Sequence, residues 1–268
     1  MISLDWKERL MKDTEDFIQS KLPKGDYSFE IIYNAYPQRI GTHVPKEVIT
    51  LVAKKMADLL VKVSENHMDF YLALWKNKGE NGRLAFVYII SKLITKKTEV
   101  FTQLLEKVIY MSPEQPEIAL LLDKAFLPIM KKNFSANLQL IFKWLNADNE
   151  HIQMNAAKLL SRICKMYPEQ LEPIFHKMEN TWLNASPGMT KANIFFLKSL
   201  YAIDANYYQS IYPKYRNSRD PYVVEILCNS IMCHTPEMEE IIENWTHSGN
   251  AKLKKAALIG YKAIKRKK

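Results

Sequence analysis

Two stretches of the chain echo each other: Trp144-Leu145-Asn146-Ala147-Asp148-Asn149 and Trp245-Thr246-His247-Ser248-Gly249-Asn250. Each reads as the end of one helix and the start of the next. A branched apolar residue follows three positions after each Asn (Ile152, Leu253), and a small one seven positions after it (Ala156, Ala257). Trp closes a core, Asn caps the incoming helix, and Ala lets helices approach. The two tryptophans stand 101 residues apart, from 144 to 245. That is about three units of the roughly 30–35 residues expected for a helical hairpin repeat.

Outward from these turns the same punctuation recurs. Ser112-Pro113-Glu114-Gln115 reads as a capping box with proline at the first helical position. Asp220-Pro221 and Thr235-Pro236-Glu237 follow the same logic, and Ser186-Pro187 does so more loosely. Between the caps, apolar residues recur at helical spacing: Ile152, Ala156, Leu159, Leu160 and Ile163; Val223, Ile226, Leu227 and Ile231; Leu253, Ala256, Ala257, Gly260 and Ile264. The pattern predicts helices near 4–20, 26–35, 45–63, 65–76, 81–95, 98–110, 113–132, 135–146, 150–166, 169–184, 188–203, 205–216, 221–234, 236–247 and 250–266. With only 7 glycines in 268 residues, the hairpin turns of a sheet protein are not provided for. The expected fold is all-α, a right-handed α-solenoid of HEAT-like hairpins over 1–268. N-terminal helices would occupy 1–63, hairpins 64–249, and a basic helix 250–268.

The three cysteines, Cys164, Cys228 and Cys233, form no C-x-x-C pair and suggest a reducing compartment. Charged residues through positions 1–20 leave no apolar signal-peptide core. The most apolar stretch, 84–90, is far short of the roughly 20 residues that span a bilayer. A cytoplasmic protein with no membrane association is expected.

Dinucleotide and P-loop glycine motifs are absent, as are H-E-x-x-H and G-x-S-x-G. Cys228, Cys233 and His234 lie close in sequence, but residues five apart on a helix point about 140° from each other. No metal or cofactor is therefore expected.

Charge is the positive signal. The net charge is +9, and residues 251–268 hold eight Lys or Arg and no acid, leaving +1 for the other 250 residues. Lys255, Lys262 and Arg266 form one helical stripe, flanked by Lys254 and Lys265. Such a row can neutralise successive phosphates and release counterions; it is equally what a solvated terminal repeat needs. Lys158, Arg162 and Lys165 form a second row at i, i+4, i+7. Two ligands suit these rows, duplex DNA or an acidic protein.

Two segments also resemble a known family. Tyr36-Pro37-Gln38-Arg39-Ile40-Gly41-Thr42-His43-Val44-Pro45 and Lys143-Trp144-Leu145-Asn146-Ala147-Asp148-Asn149, the latter followed by Gln153 and Ala156, resemble motifs of the AlkD-type alkylpurine DNA glycosylases. Leu74-Trp75-Lys76 and the helix at 82–94 are similar to that family's second hairpin, and the resemblance spans about 25–205. It implies a HEAT-like solenoid that wraps duplex DNA along a basic concave face. Active members hold a cationic alkylated nucleotide with two tryptophans and an aspartate, since π-faces and a carboxylate stabilise positive charge. Here 112–126 contains no Trp, and its carboxylates are Glu114, Glu117 and Asp123. Asp123 falls where the family aspartate would stand, though it also reads as an ordinary helical acid beside Lys124. Phe195 or Phe196 falls near the downstream tryptophan, as a stacking platform or as plain core. His151 and Met154 follow the Asp148-Asn149 turn where the family has Trp and Arg. The resemblance thus implies DNA binding with weak or lost base excision.

Overall fold

Helix starts follow the side-chain caps. Asn149 Oδ1 accepts from the backbone N–H of His151 and Ile152 at 3.0 and 3.2 Å. Asn250 Oδ1 does the same for Lys252 and Leu253 at 3.0 and 3.1 Å. The echoed tryptophans are both core residues, Trp144 at 1% and Trp245 at 4% exposure, and Ile152, Leu253, Ala156 and Ala257 are buried with them. Ser186, Asp220 and Thr235 cap the three proline-led helices, each satisfying a first-turn N–H that the helix leaves free.

The computed structural model describes residues 46–268 together with Lys12, Glu15, Asp16 and Gln19. The helices expected at 4–20 and 26–35, and the Tyr36–Pro45 segment with His43, lie outside the described residues, those four positions aside. Among the described residues every element is helical. Over residues 46–268 there are thirteen α-helices: α1 Lys46–Leu60, α2 Met68–Asn77, α3 Gly79–Leu93, α4 Thr98–Met111, α5 Glu117–Leu121, α6 Phe134–Leu145, α7 Glu150–Met166, α8 Leu171–Glu179, α9 Pro187–Ile203, α10 Ala205–Lys214, α11 Pro221–Asn229, α12 Pro236–Thr246 and α13 Ala251–Lys265.

Contacts divide the chain into two units, Met1–Phe134 and Ser135–Lys268. In the first, α3 is central. It packs on α1, α2 and α5 and buries Leu84, Ala85, Phe86, Val87, Ile89, Ile90 and Leu93. Its Arg83 reaches the buried Glu117 in the first turn of α5, Nε to carboxylate 3.0 Å, where a negative charge also suits the helix dipole.

In the second unit α9 packs against α7 and α11, and α11 against α13, so these four helices lie side by side. Behind them α8 touches α7, α10 packs on α9 and α12, and α12 on α13. Glycine sets two of these approaches. A Cβ at Gly188 of α9 would lie 2.8 Å from Glu150 Cβ of α7, and one at Gly260 of α13 would lie 2.8 Å from Cys228 Cβ of α11.

Three expected helices are corrected. The run predicted for 113–132 breaks into a turn, the short α5, a π-helical turn at Leu122–Phe126 and a 3-10 stretch at Leu127–Lys132. Pro116 disfavours helical backbone at Gln115, so the capping box does not form and the helix begins at Glu117. Pro128 has no N–H for the carbonyl of Lys124, and the backbone changes its hydrogen-bonding period there. The helix predicted for 221–234 stops at Asn229. Beyond it, Tyr208 Oη donates to the Ser230 carbonyl at 2.7 Å, taking an acceptor that a further turn would have used. The helix predicted for 169–184 likewise ends at Glu179. Trp182 folds back edge-on to Phe175, and Asn184 turns the chain with a φ of 56°, a conformation that asparagine tolerates.

Candidate nucleic-acid interface

Charge is segregated by helix in the second unit. The side-by-side helices α7, α9, α11 and α13 carry ten Lys or Arg and two carboxylates, Glu150 and Glu225. Behind them α8, α10 and α12 carry six carboxylates and two lysines. The cations are held outward because the opposite stripe of each helix is core. On α7, Ile152, Ala156, Leu160, Ile163 and Cys164 are buried, while Lys158, Arg162 and Lys165 are exposed. On α13, Leu253, Ala256, Ala257, Gly260 and Ile264 are buried, while Lys254, Lys255, Lys262, Lys265 and Arg266 are exposed.

Both carboxylates on this face are paired: Lys191 Nζ with Glu150 at 2.8 Å, and Lys252 Nζ with Glu225 at 3.6 Å. Lys158, Lys165, Lys198, Lys254, Lys255 and Lys262 have no ion-pair partner among the described residues. Lys265 differs. It turns to Glu239 of α12, which raises its pKa. The same carboxylate is held down to about 2 by hydrogen bonds from Lys265 and His234. Lys265 thus fastens the end of α13 to α12 while its neighbours face solvent.

The expected stacking pair is divided. Phe196 is 1% exposed and belongs to the core; Phe195 is half-buried, one position after Ile194 on the exposed side of α9. Asp123 is half-buried in the π-helical turn of the first unit. Cys228 is buried on α11 and Cys233 lies past its end. Among the described residues no three His, Cys, Asp or Glu side chains are grouped to hold a metal, and no helix is long and apolar enough to cross a membrane.

Sequence reasoning missed Lys191 and Lys198, a seven-residue pair on a helix that has no acid. It also missed a cleft of about 500 Å³ on the same face, bordered by Thr190, Lys191 and Ile194 of α9, Tyr222, Glu225 and Asn229 of α11, and Lys252 of α13. These positions come from three helices, and only packing brings them together. The chain matches no protein-family model and no curated protein.

Proposed function

We propose that the chain is a HEAT-like helical repeat protein that binds duplex DNA through the outward face of α7, α9 and α13. The supporting observation is the charge segregation: ten cations on one set of helices, six carboxylates on the set behind. Rigid rods carrying unpaired lysines one to two turns apart suit a regular polyanion, whose counterions are released as phosphates are contacted. The resemblance to AlkD-type glycosylases agrees with this ligand. Base excision is weak or lost in this reading, because no tryptophan flanks Asp123. Asp123→Asn is the variant that reports any residual release of an alkylated base.

An acidic protein partner is the second reading. It is favoured by Leu258 and Ile259, 45% and 48% exposed among the cations of α13, since aliphatic side chains gain nothing from phosphates. Titration of a labelled random duplex at low salt separates the two. DNA binding is expected, and it should be unchanged when Leu258 and Ile259 are both replaced by Ser. If the duplex fails to bind, the first reading falls.

A further inference from the structure

The cleft on the basic face has a composition that the charge argument alone does not explain. It lies over α11, which has nine residues between neighbours of seventeen and fifteen. Its half-buried outer side chains, Tyr222, Glu225 and Asn229, form a floor at i, i+3, i+7. Lys191 and Ile194 rise on one side and Lys252 on the other. A smaller recess of about 170 Å³ continues the floor towards Lys255 and Ile259. The main volume of about 500 Å³ lies within the roughly 300–1,000 Å³ of small-molecule sites.

Three features set its chemistry. First, the Tyr222 ring is covered by an ammonium, Lys252 Nζ, 3.5 Å from its centroid. The Lys252 side chain is half exposed and can move to the rim, freeing a π-face. Second, Asn229 donates its amide N–H to the Glu225 carbonyl at 2.8 Å, so its side-chain oxygen is left to accept. Third, Thr190 borders the cleft at 8% exposure, and its hydroxyl has no hydrogen-bond partner among the described residues.

We infer that this cleft is a nucleotide site. The base lies on Tyr222, its edge meets Glu225, Asn229 and Thr190, and its phosphate meets Lys191 and Lys252. A carboxylate on the floor argues against an acidic side chain as occupant. It suits a base instead, because a carboxylate accepts from exocyclic amino groups, while the rim lysines take the phosphate. The nucleotide is either free or an unpaired one in a DNA strand. The inference rests on the DNA-binding reading for its second source only.

The test compares three probes: a fully paired duplex, the same duplex with one unpaired adenosine, and adenosine 5′-monophosphate. Tyr222→Leu and Glu225→Gln are run beside the unaltered chain, with circular dichroism to confirm folding. The unpaired-adenosine duplex is expected to bind about tenfold tighter than the paired one, as one stacked base provides. Both variants should remove that difference, and Tyr222→Leu, which changes no charge, should leave paired-duplex affinity unchanged. Equal wild-type affinity for the two duplexes, or variants that keep the preference, would overturn the inference. If neither duplex binds, the DNA reading fails and the mononucleotide decides. Saturation transfer to its base protons, lost in Tyr222→Leu, supports the cleft as a free-nucleotide site; no transfer overturns it.

Discussion

The hydroxyls of Tyr208 and Tyr212 lie 2.8 Å apart in the core of the second unit, one turn from each other on α10. Tyr208 Oη donates to the Ser230 carbonyl and accepts from the N–H of Met232 at 3.1 Å. Tyr212 Oη also reaches the Leu227 carbonyl at 3.1 Å. With the only Tyr208 proton committed to Ser230, the Tyr212 proton is shared between Tyr208 and Leu227. Burial pushes the Tyr208 hydroxyl up to about 12 and that of Tyr212 well above its ordinary value, so both stay protonated near neutrality. This pair closes the C-terminal end of α11. Tyr208→Phe leaves one buried carbonyl and one part-buried N–H without their partner. A loss of about 1–3 kcal/mol is expected in urea unfolding, with Tyr212→Phe costing less.

The contact between α11 and α13 should be equally sensitive. A Cβ at Gly260 would lie 2.7 Å from Cys228 Sγ and 3.2 Å from its Cα, so backbone as well as side chain must give. Gly260→Ala is expected to destabilise by about 1–3 kcal/mol, more than the roughly 1 kcal/mol that alanine gains over glycine in a helix. Gly249 has nothing within 4 Å of its added Cβ, and Gly249→Ala should leave the thermal midpoint nearly unchanged.

Glu239 links acid stability to the end of α13. Its folded pKa, about 2, lies below its ordinary 4.5 because Lys265 and His234 hydrogen-bond to it. A depressed folded pKa contributes stability that is complete above the unfolded value and lost as pH falls through the folded one. Thermal midpoints of wild type and Glu239→Gln should therefore differ most above about pH 4.5 and converge towards pH 2. A difference independent of pH would show that the pairing does not act in this way.

The three thiols should be distinguishable. Burial lifts Cys164 and Cys228 to about 12, and both are enclosed; Cys233 is only half-buried. Because the thiolate is the reacting species, titration of the folded chain with a chromogenic disulfide should show one reactive thiol. Three should react in denaturant.

The Asn149 and Asn250 turns were legible in the sequence because a cap is local: one side chain and two N–H groups within three residues. The breaks at 113–132 were also written there, in Pro116 and Pro128, but apolar periodicity alone runs straight through both. The stop after Asn229 was not legible, since it depends on Tyr208 and Tyr212 some twenty residues earlier. The candidate interface divides in the same way. The rows on α7 and α13 are visible as spacings on single helices. The acidic set behind them, and the cleft joining Tyr222 to Lys191 and Lys252, exist only once helices distant in sequence are packed.

The proposed contact between the cations of α7, α9 and α13 and DNA phosphates is tested by the salt dependence of duplex binding, followed by fluorescence anisotropy. Wild type is compared with a triple variant, Lys158→Gln, Arg162→Gln and Lys165→Gln, and with a control, Lys177→Gln and Lys214→Gln, on the helices behind. Substitution is preferable to removing α13, whose Leu253, Ala257 and Ile264 are core. Log K should fall linearly with log salt, at about −0.9 per phosphate contacted, and the triple variant should lose up to about 2.7 of that slope. The control should match wild type. No binding at low salt, or a slope reduced by the control and untouched by the triple variant, would show that these cations do not carry DNA binding.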